Sequence, residues 1–472
     1  MSTVAKLRAV LIGHVDLAVF AVALVVRLAW IATLENSVHW FDEREFAAIA
    51  RHLAAGEGYV SSSFRANPTV AAYLGLVFRL FGENYVVARI GQCLMGAAAC
   101  VFVRRIAATL VGPGAGLFSG FLLALYPPHI FLAGLFYVDT WLTFFSALTV
   151  YLTVLVAQGR GGLGLAFLCG VCQGLMILTR PAFLVSLPGP ILSWVVSEAA
   201  RRGRRALLCG VFLLGCAATV LPWTYRNYQV FGRPVLVASG FWAMLWRGNH
   251  ELSNGGPDDR VFQWGTTLWE ERLRALPPER QHELAREYAE VDRLVIARQR
   301  AVGDAELALD DVLGPLAIDA IVTHPGRTAR LILAKVGTLF SAFSDTSSTN
   351  DRTIPFRWLA PLSFYPLLGL ALIGAALGCP RWRELVPIYY LIASVIGVYA
   401  LLTACTRFRL PLDPFLIVFS SLTVTKMAQA FRLPMCRETI HAVGSRPVDR
   451  EGQIRGRDAG VPAIGGRRVI GR

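Results

Sequence analysis

DLAVFAVALVVRLAWIATLENSVHWFDEREF, residues 16–46, decides the fold. Its first part, 16–34, is a nearly unbroken apolar run, and about 20 such residues are what a helix needs to cross a bilayer. Aromatic residues follow, and then two adjacent acids, Asp42 and Glu43, ahead of a helical pattern through Leu53. The same length criterion, carried outward, predicts spans at 86–103, 114–133, 137–156, 162–179, 181–197, 206–223, 356–378, 385–403 and 409–426. Shorter pieces at 69–81 and 328–343, interrupted by Arg79, Arg330 and Lys335, suit helices lying at the interface or packed partway in. The expected fold class is an all-α polytopic membrane protein of about ten spans plus interfacial helices, with a small mixed subdomain on the outer side.

Composition agrees with that expectation. The chain has 472 residues, 55% hydrophobic and 17% charged, whereas soluble domains carry about 45–50% apolar and about 25% charged residues. A cytosolic enzyme, a disordered scaffold and a secreted disulfide module are all disfavoured. The cysteines lie almost entirely in apolar runs, and Cys169 with Cys172, a CxxC inside one of them, suits packing better than redox chemistry. Lys6, Arg8 and His14 precede the first run, which lacks an obvious small-x-small cleavage site and is expected to be a retained span.

The net charge of +14 is explained by topology. With a cytoplasmic N-terminus, Arg104-Arg105, the link 158–162, Arg201-Arg202-Gly203-Arg204-Arg205, Arg381 to Arg383 and the arginine-rich tail all fall inside. Nucleic acid is not needed as a partner. The expected organisation is a membrane module over 1–223 with a first outer loop at 35–85, an outer subdomain over 224–327, a second membrane part over 328–430, and a basic, disordered tail over 431–472. In the subdomain, Pro277-Pro278 opens a helix with Leu284, Tyr288, Val291 and Val295 on one face. Phe231-Gly232-Arg233-Pro234 predicts a turn into a short strand at Val235-Leu236-Val237, and Asn254-Gly255-Gly256-Pro257 a second turn.

The same topology sends a set of charged residues outward. Asp42 and Glu43 begin a helix, where acids complement the dipole, but they also sit at the membrane surface, where partial desolvation favours basicity. Asp139, in Phe136-Tyr137-Val138-Asp139-Thr140-Trp141, begins another span and is either a helix cap or a third acid of the site. Facing these acids are Arg180, Arg226, Arg407 and Arg409, each either snorkelling or a ligand for an anionic amphiphile. Arg27, inside the first span, is either a partner for an acid or a snorkelling residue.

In order along the chain come the Asp-Glu pair, Pro68-Thr69-Val70-Ala71-Ala72-Tyr73 to Phe81-Gly82, Ala88-Arg89-Ile90, Tyr137-Val138-Asp139, Pro222-Trp223-Thr224-Tyr225-Arg226-Asn227 and Arg407-Phe408-Arg409-Leu410-Pro411. That order resembles the bacterial protein O-mannosyltransferase and aminoarabinose transferase group, which are GT-C glycosyltransferases of the family 39 type using polyprenyl-phosphate sugars. The resemblance implies a catalytic base at Asp42, with Glu43 and Asp139 as companion acids. It also implies a donor phosphate held by Arg180, Arg226, Arg407 and Arg409, and a lipid, glycan or protein acceptor. Arg180 stands where relatives often carry a lysine. No cofactor is expected; a divalent cation could assist through the acids, but no cluster with ligand spacing is visible. The alternative class is a transporter or flippase for an anionic lipid, which would place its charges near mid-membrane in related halves.

Overall fold

The computed structural model describes residues 3–38, 40–60, 67–197, 202–255, 273–342 and 359–443. His39, Arg201, Gly256-Pro257, the segment 344–355 and the tail arginines from Arg446 onward lie outside them. The first half is built from α1 (Thr3–Ile31), α2 (Phe41–Ala55), α3 (Pro68–Phe81), α4 (Tyr85–Leu110), α5 (Pro113–Ala124), α6 (Pro127–Leu132), α7 (Val138–Ala157), α8 (Leu163–Thr179), α9 (Pro188–Val196) and α10 (Arg202–Phe231). There follow α11 (Phe241–Arg247), α12 (Pro278–Val302), α13 (Ala305–Thr323), α14 (Pro325–Leu339), α15 (Leu359–Gly378), α16 (Trp382–Leu401) and α17 (Asp413–Val443). The protein is an all-α, multi-pass membrane protein. Among the described residues, six stretches are long and apolar enough to cross a membrane: Gly13–Ile31, Tyr85–Leu110, Val138–Ala157, Arg202–Phe231, Leu359–Leu401 and Thr406–Phe431.

The expected spans at 114–133, 162–179 and 181–197 are built as shorter or broken apolar helices. The first breaks between Ala124 and Pro127 because Pro127 and Pro128 supply no backbone N–H to continue the ladder. Arg27 resolves there into neither of its two expected roles. Its Nη1 donates to the Ala124 carbonyl (3.2 Å) and its Nη2 to that of Leu123 (3.5 Å), so it satisfies acceptors freed by the break. Gly96 leaves space for this guanidinium, since a Cβ there would lie 2.9 Å from Arg27 Nε and the side chain would have to shift. The crossing of α8 and α10 likewise depends on glycines, as a Cβ at Gly170 or Gly215 would collide with the facing carbonyl of Phe212 or Phe167.

The stretch expected to form an outer subdomain corrects one expectation. No strand occurs among the described residues, and Val235–Val237 is irregular, with a bend at Leu236 and Val237. Its acceptors are taken by side chains from the end of α10: Asn227 Nδ2 donates to the carbonyls of Val235 (3.0 Å) and Val237 (2.9 Å), and Thr224 to that of Leu236 (2.8 Å). A ladder is therefore unnecessary. The subdomain core is helical, with Trp246, Leu284, Tyr288 and Leu313 buried together. The buried Lys335 of α14 ties it down by donating to Asn249 Oδ1 (3.0 Å) and to the Leu401 carbonyl (3.1 Å) at the end of α16. Met1–Thr425 forms one compact unit. Beyond it the chain stays helical to Val443, where disorder was expected from 431; Met427, Ala428 and Ala430 are good helix formers.

Candidate active site

The two ends of α4 divide the charged groups. Its first turns face the segments that lead into α2 and α7, and its penultimate turn holds Arg104 and Arg105 on Asp16. Between Arg89 and Arg104 lie about 22 Å of helix. Asp42, Asp139 and Arg407 all belong to the first end.

Asp42 stands in the first turn of α2 and Asp139 in the first turn of α7. Arg407 comes from the 3₁₀ turn Thr406–Leu412, which Pro411 and the start of α17 hold in place. Arg407 Nη2 donates to Asp42 Oδ2 at 3.1 Å, and its Nε lies 3.5 Å from Asp139 Oδ2. The guanidinium lies 4.2 Å over the ring of Tyr137. One cation thus bridges two acids separated by about a hundred residues of chain, a juxtaposition that the topology alone creates.

The satisfaction of these groups is uneven. Asp139 is 0% exposed, and neither of its carboxylate oxygens has a hydrogen-bond partner among the described residues; Arg407 Nε has none either. Buried polar groups are normally paired, so these orphans leave hydrogen-bonding capacity for a further partner. The Asp42 side chain is 42% exposed and open to an incoming group.

Arg180, at the C-terminal end of α8, flanks this triad. It donates to the Tyr399 hydroxyl at 3.3 Å and lies 4.4 Å over Phe408, whose ring stacks on Tyr399. Its charge also acts on Asp139. Tyr137, Tyr399 and Phe408 are the aromatic floor of the site; sequence reasoning did not single them out for this role, although each adjoins or faces a flagged charge.

The other flagged residues are placed differently. Glu43, 0% exposed, accepts from the backbone N–H of Trp40 (3.2 Å) and of Phe136 (2.9 Å), so its carboxylate joins the start of α2 to the segment before α7. Arg226 donates to the Tyr59 carbonyl (2.9 Å) and packs on the rings of Tyr59 and Trp223, holding the chain that leaves α2 against α10. Burial raises the pKa of the Tyr59 hydroxyl. Arg409, expected as a phosphate ligand, is sealed in. It donates to Asp413 Oδ1 (3.1 Å) and to the carbonyls of Leu339 (3.3 Å) and Ser341 (2.9 Å), with Phe364 against its face at 3.4 Å. Those partners take its Nε–H and both Nη1 hydrogens, so it anchors the turn that presents Arg407. A cavity of about 370 Å³ at the arginine-rich end, lined by Gln158, Ser193 and Arg383, lies elsewhere.

Residues 65–225 match the model of the dolichyl-phosphate-mannose-protein mannosyltransferase family. Asp139 and Arg180 fall inside that segment, and Asp42, Glu43, Arg226, Arg407 and Arg409 outside it. Among solved structures, the archaeal oligosaccharyltransferase AglB from Archaeoglobus fulgidus, in complex with an inhibitory peptide and a dolichol-phosphate, superposes with a TM-score of 0.52 at 16% identity. The alignment covers 92% of this chain and 52% of that one. The Archaeoglobus fulgidus oligosaccharyltransferase tethered with an acceptor peptide gives 0.53 at 16% identity, over 92% of this chain and 51% of that one. The chain therefore spans about half the length of these archaeal proteins. ArnT from Cupriavidus metallidurans, bound to undecaprenyl phosphate, is similar at a TM-score of 0.40 and 18% identity, over 90% of this chain and 79% of that one. No curated protein matches the chain. Residues 65–225 are thus similar to the dolichyl-phosphate-mannose-protein mannosyltransferase family, and the chain shares its all-helical fold with the archaeal oligosaccharyltransferases.

Proposed function

We propose that the protein is an inverting glycosyltransferase that moves a sugar from a polyprenyl-phosphate donor to a lipid, glycan or protein acceptor at the outward face of a bacterial inner membrane. The observation that carries this reading is the Asp42–Arg407–Asp139 bridge, in which a buried carboxylate and a guanidinium nitrogen still lack hydrogen-bond partners. The matched family segment and the shared fold support it.

In this reading Asp42 takes the proton from an acceptor hydroxyl. The acceptor oxygen forms its bond to the anomeric carbon as the bond from that carbon to the phosphate oxygen breaks, and the electron pair leaves with the polyprenyl phosphate. Attack from the face opposite the leaving group inverts the anomeric centre. A guanidinium suits the departing phosphate because its planar fork binds two oxygens at once. As negative charge builds on the phosphate, it competes with Asp42 for Arg407, so the cation turns to the leaving group while the base is freed to accept its proton. Asp139 orients the sugar through its unpartnered oxygens and balances the positive charge of an oxocarbenium-like transition state. Arg180 adds a second positive charge over its aromatic floor.

The test is transfer by the purified protein from labelled polyprenyl-phosphate sugars to a membrane extract, beside Asp42→Asn. Transfer by wild type and its loss in a folded variant are expected. Equal transfer by both would remove Asp42 as the base, and labelled lipid appearing across a sealed vesicle without bond cleavage would favour a flippase instead.

A further inference from the structure

Resting on that reading, we propose that Arg89 is a positioning residue that sets the separation of Asp42 and Asp139. Arg89 lies in the second turn of α4 and is 1% exposed. Each of its three nitrogens donates to a backbone carbonyl, and the carbonyls come from two different segments. Nη1 donates to the Glu35 carbonyl (2.6 Å) and Nη2 to that of Ser37 (2.7 Å), both in the stretch that leads into α2. Nε donates to the Gly134 carbonyl (2.8 Å), in the stretch that leads into α7. Asp42 follows Ser37 by five residues and Asp139 follows Gly134 by five, so each acid hangs on an equally short tether from the same guanidinium.

Neighbouring groups make the arrangement a jig rather than a single tie. One turn along α4, Gln92 Nε2 donates to the Leu135 carbonyl (2.9 Å), and its Oε1 accepts from Trp141 Nε1 (3.3 Å) inside α7. Asn36 Oδ1 accepts from the N–H of Tyr85 (2.9 Å) at the start of α4. Glu43, carried by α2 itself, accepts from the Phe136 N–H, and the Phe136 ring lies 5.3 Å from the Arg89 guanidinium. The jig therefore fixes both acids against one rigid helix.

Burying a guanidinium whose hydrogen bonds all go to carbonyls, even with the Glu43 charge nearby, is a costly way to satisfy three acceptors where water or an amide could serve. What the arginine adds is geometry. Its donors are coplanar at fixed angles, so the carbonyls at 35, 37 and 134 cannot slide independently. Arg407 then spans the acids with contacts of 3.1 and 3.5 Å, which tolerate little drift. A misplacement of about 1 Å at a reacting group costs on the order of 100-fold in rate.

The experiment compares wild type, Arg89→Lys and Gln92→Met as purified full-length proteins. It records kcat, KM for the polyprenyl-phosphate sugar, the pH profile of kcat and the melting temperature. Lysine keeps the charge but loses the fork. The expected result is a folded Arg89→Lys protein with kcat down about 100-fold, KM within about threefold, and a displaced pH profile because Asp42 and Arg407 no longer meet at the same distance. Gln92→Met, which frees the Leu135 carbonyl and the Trp141 indole N–H but leaves Arg89 in place, is expected to lower kcat about tenfold with a modestly lowered melting temperature. A folded Arg89→Lys protein with wild-type kcat and pH profile overturns the inference. Should Arg89→Lys fail to fold, Gln92→Met decides: an unchanged kcat overturns the proposal and a reduced one supports it. Absence of transfer by wild type would defeat the functional reading instead. The Asp42–Asp139 separation in cryo-electron maps of wild type and Arg89→Lys then decides the inference, a change supporting it and an unaltered separation overturning it.

Discussion

The two ends of α4 carry charge clusters that mirror one another. At one end a single acid, Asp16, is gripped by Arg104 and by Arg105 (2.9 Å). At the other a single cation, Arg407, sits between Asp42 and Asp139. The Asp16 cluster is closed: no atom of its three side chains is among the buried atoms left without a hydrogen bond, while both Asp139 oxygens and Arg407 Nε are. Count and burial of charges are alike at the two ends, and completeness of pairing separates them. A satisfied cluster fixes helices, and an unsatisfied one is held ready for a ligand.

The largest effect that would test this contrast is Asp42→Asn, expected to lower transfer about a thousandfold while the protein stays folded; a loss under tenfold would place the base elsewhere. Arg407→Gln is expected to cost on the order of 100-fold in kcat, with Arg409→Lys in comparison altering the melting temperature more than the rate. Should Arg409→Lys prove the slower enzyme at wild-type stability, the distinction between the two arginines collapses. Asp16→Asn tests the closed cluster. It is expected to destabilise the fold by about 3 kcal/mol and to leave kcat of the folded fraction unchanged, which a denaturation series with activity at each point would reveal.

The smallest effect concerns Lys335, whose burial depresses its pKa to about 8 from the ordinary 10.5. Between those values the unfolded chain binds the proton and the folded chain does not, so stability is expected to rise with pH across that window. A pH series of melting temperatures checks this. Lys335→Met should flatten the rise, and a curve as steep as that of wild type would assign it to another group.

What could be read from the sequence follows from the kind of partner each residue has. The helical membrane architecture was legible because apolar runs of spanning length leave little else to be. Asp42, Asp139 and Arg407 were legible as charges at span ends, and the structure brings these three together. Arg409 could not be told from Arg407 because two residues apart on a tight turn point different ways, and burial against Phe364 is a tertiary fact. Glu43, Arg89 and Arg27 were opaque for a shared reason: their partners are backbone groups of distant segments, which carry no residue-type signature. The strand expected at Val235–Val237 failed on the same ground, since Asn227 and Thr224 supplied what a neighbouring strand would have.

The placement of Arg27 bears on how the chain is made. Carbonyls exposed where α5 gives way to α6 have no water to turn to inside a bilayer, and the group that answers them is carried by α1, almost a hundred residues earlier. The break between α5 and α6 therefore becomes tolerable in lipid only after α1 is already inserted and docked. During biogenesis α1 acts as a scaffold for α5.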